Sequence, residues 1–387
     1  MERTDGRSDW VIGAPGACVP AQSGELECAV AIPARDEASL IARCLKALAD
    51  QQDAPAFAVV LFLNNCQDDT AREVAAIAPS LPCALRVYEG ELPPELADAA
   101  WARRLALNAA AALVRPEGVV LSTDADSFAN PDWIRANLDC IERGADIVCG
   151  FVAPDFSDAP SLDFETLQHG AREYEYSQLA SELLCLIDPD PADPWPRHQM
   201  ETGANLAIRA SVLRELGGVP HVCPGEDQAL ARLAERAGYA IRHDFKPQVT
   251  TSSRVQGRAA GGWSADLKAR ADHRRDLCHE KIEPALRVIR RARLRAGLRR
   301  CFGTPRFDAH ATRLVTDKEM LECIRVAKSF TAAWALLSAA SPMLARRPLH
   351  RSALESNATL LRRSVEAMRA QAEHGPRSAP QMAGALQ

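Results

Sequence analysis

The sequence contains no uninterrupted run of roughly 18 apolar residues, the length a helix needs to cross a bilayer, so no membrane span is expected. Its first residues are polar and charged and lack the apolar core of a secretion signal. There is no C-x-x-C pair. The 12 cysteines are scattered, and Cys28, Cys44 and Cys149 fall inside apolar segments, where they read as small core residues. These absences together predict a cytoplasmic protein. There is also no surplus of positive charge. The 46 Lys and Arg against 51 Asp and Glu leave a net charge of −5, which gives no whole-surface attraction for nucleic acid. Neither G-x-G-x-x-G nor a Walker A motif is present, which disfavours a dinucleotide enzyme and a P-loop NTPase.

What is present is 387 residues of ordinary globular composition, 47% hydrophobic and 25% charged. The most informative stretch runs from Gly118 to Trp133. Gly118 to Thr123 is a short apolar run of strand type. Asn130-Pro131 predicts a helix start, with Asn as cap and Pro at the first helical position. Between them lie Asp124 and Asp126, at the carboxyl end of the strand, where open α/β sheets bind ligands. Residues two apart in extended chain point the same way. Both carboxylates can therefore face one hard cation, and Mg²⁺ commonly takes one or two carboxylates plus phosphate oxygens. Alone, the pair reads more readily as a polar turn; with the strand before it and the helix start after it, the two readings are even.

The remaining chain repeats that arrangement. Strands are expected at Cys28–Pro33, Ala58–Leu63, Ala84–Tyr88, Val119–Thr123 and Ala145–Val152, with helices between them. Such alternation predicts a mostly parallel sheet covered on both faces, an α/β fold. Asp98 to Val114 predicts an Ala-rich helix carrying Arg103 and Arg104. Leu162 to Leu186 is a further helix, followed by a Pro-rich loop from Asp188 to Pro196. Glu201 to Arg209 reads as a glycine-led strand. Glu226-Asp227 opens a helix running to Gly238, where the macrodipole favours acidic residues. A basic, Gly-rich stretch follows from Ser252 to Trp263, suited to ordering over an anionic ligand or to a simple linker. Residues 264–300 are helical and rich in arginine, a solvated face or one that rests on an anionic membrane. Asp317 to Leu344 and Leu349 to Ala372 predict two more helices.

The set of motifs, in this order, resembles the family 2 glycosyltransferases of GT-A fold, over roughly residues 27–263. Pro33-Ala34-Arg35-Asp36-Glu37 is similar to the motif after that family's first strand, which holds the nucleotide. Asn64-Asn65-Cys66-Gln67-Asp68-Asp69-Thr70 stands where the family has an Asp-rich motif after the second strand. Asp124-Ala125-Asp126 matches its Asp-x-Asp, and Glu226-Asp227, preceded by Gly203-Ala204-Asn205, its catalytic Glu-Asp pair. The resemblance implies a metal-dependent, inverting transfer of one sugar from a nucleoside-diphosphate sugar to an acceptor hydroxyl. It assigns Asp126, with Asp124 in support, to a divalent metal (Mg²⁺ or Mn²⁺). Asp227 becomes the general base and Glu226 its orienting partner. Pro33, Arg35, Glu37, Asn64, Asn65, Asp68 and Asp124 become donor-site residues, and Arg104 either a further donor contact or a surface charge.

The second motif departs from the family by lacking its first carboxylates. Asn64 or Asn65 still offers an amide oxygen to a base N–H, and a UDP-sugar is the favoured donor. The Gln-x-x-Arg-Trp motif of processive synthases is absent, so single transfer is expected rather than polymerisation. The acceptor is not legible. The Arg-rich helix tilts expectation toward an anionic or membrane-associated one. The expected organisation is a flexible arm (1–26), a nucleotide-sugar half (27–152), an acceptor and base half (153–263), a helical region (264–374) and a disordered tail (375–387). Two other readings stand beside it. A sugar-nucleotide pyrophosphorylase would want a Gly-rich loop where Pro33 to Glu37 stands, and a non-catalytic binder of the same fold would not need all four acidic residues.

Overall fold

A computed structural model describes residues 25–158, 162–255, 257, 262–272 and 276–373. The expected N-terminal arm, apart from its last two residues, and the expected C-terminal tail lie outside the described residues. So do residues 256 and 258–261 of the Gly-rich stretch.

The first strand, β1 (Leu26–Ala34), is fully buried from Cys28 to Ile32. A strand without a polar face needs cover on both sides. Cys28, Val30 and Ile32 face one apolar layer, with α1 (Ile41–Ala49) and Trp133, Ile134 and Leu138. Ala29 and Ala31 face the other, with Ala106, Leu107, Leu213 and Leu230. The chain continues through β2 (Phe57–Asn64), α2 (Thr70–Ile77), β3 (Ala84–Gly90), α3 (Ala99–Ala111) and β4 (Val114–Ser122). Next come β5 (Ser127–Ala129), α4 (Trp133–Glu142), β6 (Ile147–Asp155), α5 (Phe164–Ile187), β7 (Leu206–Arg209), α6 (Ala210–Glu215), α7 (Glu226–Ala237) and β8 (Ile241–Ser252).

The eight strands form one sheet in the order β3-β2-β1-β4-β7-β6-β8-β5. Four neighbouring pairs are parallel (β1 with β2 and with β4, β2 with β3, β6 with β8), and β7 and β5 run antiparallel to their neighbours. The order reverses at β1, which has β2 on one side and β4 on the other. In such sheets the crevice at the carboxyl ends beside the reversal is the ligand site. It lies between Pro33–Glu37 and Asp124–Asp126.

Three expectations need correcting. Asn130 and Pro131 do not begin a helix. They form a turn after β5, with Trp133 N donating to Asn130 O at 3.0 Å, and α4 starts at Trp133. The 12-residue strand β8 was not expected, because His243, Asp244, Lys246 and Pro247 interrupt its apolar pattern. The helical region is also more broken than expected. It consists of α8 (Trp263–Ala271), α9 (Ala285–Cys301), α10 (Pro305–Leu314), α11 (Lys318–Arg325), α12 (Phe330–Ala340) and α13 (Leu354–Glu373). Asp317 caps α11 where a helix was expected to begin, and a second cap at Ser329, which accepts from Ala332 N, divides what reads as one helix from Asp317 to Leu344. These helices carry their own apolar clusters, one shared with α5 and one among α9 to α12.

The Pro-rich loop before β7 is held by ion pairs. Asp188 and Asp190 meet Arg295 and Arg299 of α9, and Asp193 meets Arg197, Arg242 and His243. Beside it a cavity of about 280 Å³ is lined by Cys185, Leu186, Pro189 and Trp195 among others, and by none of the acidic residues at the crevice.

Candidate active site

One buried guanidinium organises the crevice. Arg103, on α3, donates through Nη2 to Asp124 Oδ1 at 2.8 Å and through Nε to Glu226 Oε1 at 3.0 Å. Its Nη1 reaches Ser122 Oγ at 2.8 Å and the Gly203 carbonyl at 3.0 Å. Burial opposes the charge, but Asp124 and then Glu226 outweigh it and push the guanidinium pKa above its ordinary value. The approach of Arg103 explains Gly203. A Cβ built at that position would lie 2.2 Å from Arg103 Cζ. Asn205, two residues on, is a brace for the same segment. It accepts from Trp133 Nε1 at 2.8 Å and donates to the carbonyls of Phe151 and Pro247.

Asp227 stands in the first turn of α7 beside Glu226. Its Oδ2 accepts from Gly203 N at 2.9 Å and its Oδ1 from Gln228 N at 2.7 Å. Burial, and next the adjacent Glu226, raise its carboxyl pKa against the opposing pull of Arg103 and the two backbone N–H groups. A half-buried carboxylate with a raised pKa holds a proton better than an ordinary aspartate, which suits a general base.

A second guanidinium closes the other side. Pairing of β5 with β8 sets Ser127 opposite Thr251. This register brings Arg254, just past β8, against Asp126, just before β5. Arg254 Nη2 lies 3.0 Å from Asp126 Oδ2, while its Nη1 donates to Glu37 Oε2 at 2.8 Å and its Nη2 also meets Glu37 Oε1. The Asp126 carboxyl pKa is pushed up to about 7, by burial first and then by Asp124, with Arg254 opposing and Glu37 adding.

The predicted donor residues divide into two groups. Asn64 is 2% exposed, donates through Nδ2 to Asp98 O at 3.2 Å, and keeps a buried Oδ1 with no hydrogen-bond partner among the described residues. Glu37 and Asp124 lie in the two guanidinium clusters. The others are held by contacts to the scaffold. Asn65 has φ of 51°, in the left-handed region Asn tolerates, and its amide is matched at both ends by the backbone of Leu92. Asp68 braces the loop after β1 by accepting from Ala38 N at 3.1 Å and Thr70 N at 2.9 Å. Pro33 sits within β1 opposite Phe62, and Arg35 donates to Ala97 O at 3.0 Å. Arg104 points to the 217–219 loop, where it meets the carbonyls of Gly217 and Val219.

Sequence reasoning did not single out Arg103, Ser122 or Arg254. For Arg103 a signal exists. It falls on the stripe of Ala100, Ala106, Leu107 and Ala110, and a charge on a buried face must be paired.

For a divalent cation, the donor set is of the right kind. Asp126 and Asp124 offer hard carboxylate oxygens, Asp124 is one-third exposed (33%), and Asp126 already attracts a cationic group. Elsewhere, His169, Glu173 and Cys278 bring ligand-type atoms within 4.8 Å of one another. There Glu173 is already engaged by Arg270 Nη1 at 2.7 Å and His279 N at 3.1 Å, a hydrogen-bonded hub.

No curated protein matches the chain. Among solved structures it is similar to TarS of S. aureus in complex with UDP-GlcNAc, at 16% identity over 90% of this chain and 92% of that one, with a TM-score of 0.44. It is similar also to the mannosyltransferase PcManGT from Pyrobaculum calidifontis in complex with GDP-Man and Mn²⁺ (19% identity, 90% and 88% covered, TM-score 0.40). Glucosyl-3-phosphoglycerate synthase from Mycobacterium tuberculosis matches over 74% of this chain and 82% of that one, at 16% identity and TM-score 0.39. Likenesses this distant do not bear on donor or acceptor. The family model described as glycosyltransferase like family 2 matches residues 27–270, well over half of the chain. The crevice at the sheet reversal, with its acidic pairs, thus belongs to a glycosyltransferase, and the chain is a member of glycosyltransferase family 2 with a GT-A fold.

Proposed function

We propose that the protein moves a single sugar from a nucleoside-diphosphate sugar, with a UDP-sugar favoured, to an acceptor hydroxyl with inversion at the anomeric carbon. The observation that carries this reading is the joining of the Asp-x-Asp and Glu-Asp motifs through Arg103, which holds Asp124 and Glu226 in one cluster. Residues 102 positions apart in sequence share one side chain there, beside Asp227.

Asp126, with Asp124, would hold the divalent cation, which when bound supplies Lewis-acid stabilisation to the leaving diphosphate. Asp227 takes the proton of the attacking hydroxyl. Its backbone hydrogen bonds fix its direction, and its raised pKa lets it accept that proton. Arg103 keeps Glu226 and Asp124 apart from each other's charge and leaves Asp227 as the carboxylate that meets the acceptor. Asn64 supports recognition of the base, since its buried Oδ1 can accept from a ring N–H. With Asp227 as base and a cation held by Asp126 and Asp124, direct displacement would need no carboxylate nucleophile.

Thermal shift with UDP-, GDP- and dTDP-sugars, each with and without Mn²⁺, tests the reading. Stabilisation by a UDP-sugar that depends on Mn²⁺ is the expected result. A response to a sugar phosphate plus a nucleoside triphosphate would point to a pyrophosphorylase, and no response to any nucleotide to a scaffold. Peripheral contact with an anionic membrane rests on the exposed Arg290, Arg293 and Arg300 of α9. Co-sedimentation with anionic vesicles at low ionic strength checks it.

A further inference from the structure

We infer that Arg254 is an exchangeable counter-ion: without ligand it occupies the cation face of Asp126, and a divalent metal with a nucleoside diphosphate displaces it from Asp126 onto the diphosphate. The inference rests on the reading of Asp126 as a metal ligand and extends it to how that ligand is guarded before a metal arrives.

The geometry carries the argument. Arg254 touches Asp126 through a single nitrogen, Nη2, at 3.0 Å. Its hold on Glu37 is bidentate, with Nη1 on Oε2 and Nη2 on Oε1. The two contacts are therefore unequal. Rotation about the end of the side chain can release Asp126 while Glu37 still anchors the guanidinium. Arg254 lies two residues past the end of β8, so this change needs no movement of the strand.

Charge balance points the same way. Among the described residues, the cations paired with Glu37, Asp124, Asp126, Glu226 and Asp227 in the two clusters are Arg103 and Arg254. Arg103 is tied to four groups and 7% exposed, so it is fixed. Arg254 is 18% exposed and Asp126 20%, so both partners of this pair are open to a solvated ligand, whereas Arg103 is not. A dication entering at Asp126 restores the local neutrality that Arg254 leaves behind. The released guanidinium has a planar fork suited to phosphate oxygens. Metal and nucleotide binding then become coupled: the nucleotide gives Arg254 a new partner, and so strengthens metal binding at Asp126.

Mn²⁺ binding, read by electron paramagnetic resonance of the free ion with and without UDP, tests this on the full chain. Wild type should bind Mn²⁺ weakly alone and more tightly with UDP. Arg254→Gln should bind Mn²⁺ alone about tenfold more tightly, and the gain from UDP should shrink by a similar factor, within the usual range of such couplings. Arg254→Lys, which keeps the charge and loses the fork, should fall between them and serves if the glutamine variant does not fold. Asp126→Asn separates the two levels of the argument. If it abolishes Mn²⁺ binding while Arg254→Gln leaves affinity unchanged or lower, the exchange is wrong and the metal site stands. If Asp126→Asn has no effect, the metal site itself is misassigned and the exchange goes with it. UDP binding by wild type that Mn²⁺ never strengthens, and that Arg254→Gln weakens, would make Arg254 a permanent counter-ion and overturn the exchange.

Discussion

Two regions of this molecule pair arginine with buried acid, in opposite proportion. In the crevice, Arg103 and Arg254 are outnumbered by Glu37, Asp124, Asp126, Glu226 and Asp227. On α9, Arg287, Arg291, Arg295 and Arg299 outnumber their carboxylates Glu283, Asp188 and Asp190. Their spacing of four residues lays them along one stripe, turned toward the protein. Arg287 and Arg291 also donate to the Ala345 and Leu344 carbonyls at 2.8 Å. The lesson concerns the sign of the surplus. An excess of carboxylates at the carboxyl edge of a sheet leaves a demand for cations, which a ligand complex can meet. The α9 stripe is closed by internal acids and carbonyls, and it fastens the Pro-rich loop and the 342–345 turn to the helices.

Substitutions should therefore separate chemistry from stability, and each can break the comparison. The largest effect is expected on chemistry. Asp227→Asn should lower turnover by roughly 10²–10⁴, the usual worth of a general base, with donor affinity nearly unchanged. UDP release from a UDP-sugar and calorimetric UDP binding measure the two parts, and full turnover would reject the base assignment. Asp188→Ala, on the α9 side, should cost about 3–5 kcal/mol in urea unfolding, because it removes the carboxylate, 3% exposed, that two guanidiniums share and leaves them the longer contacts to Asp190. Donor affinity of the folded fraction should hold. Gly203→Ala belongs to both kinds. The added methyl meets Arg103, so stability should fall by about 1–3 kcal/mol and the Asp124–Arg103–Glu226 bridge should loosen, read as a lower unfolding midpoint together with slower turnover.

The smallest effect is one of pH. A proton on Asp126 competes with metal, and the folded protein holds that proton up to about pH 7. Mn²⁺ affinity should rise with pH through that value and then level off. The sign for stability is opposite. Between the ordinary aspartate pKa and about 7 the folded state binds the extra proton, so the ligand-free fold loses stability as pH rises. Asp126→Asn should flatten the stability slope, and an unchanged stability profile in that variant would assign the proton elsewhere.

Much of the fold was legible because β1, β2 and β4 carry apolar runs that end in polar motifs, and periodicity reads such runs well. The strands that complete the site were harder. Three-residue β5 has no periodicity to read, and β8 hides behind charged residues and Pro247. Their pairing is what delivers Arg254 to Asp126, so that contact was not legible either. Asp124, Asp126, Glu226 and Asp227 could be named from motif order. Arg103 and Arg104 are neighbours of one type, and only the position of Arg103 on the buried stripe separates them. Asn65 and Asp68 also hydrogen-bond the backbone of the scaffold, a role that depends on loops packed from distant parts of the chain.

Asp126 is the proposed seat of a cation shared with a nucleoside diphosphate. Anomalous diffraction from crystals grown with Mn²⁺ and UDP tests this directly. The predicted result is a manganese peak within about 2.2 Å of an Asp126 carboxylate oxygen, bridged to the diphosphate, on the Asp227 side of β4. A peak at the His169–Glu173–Cys278 hub alone, or UDP seated with no manganese beside Asp126, would contradict it.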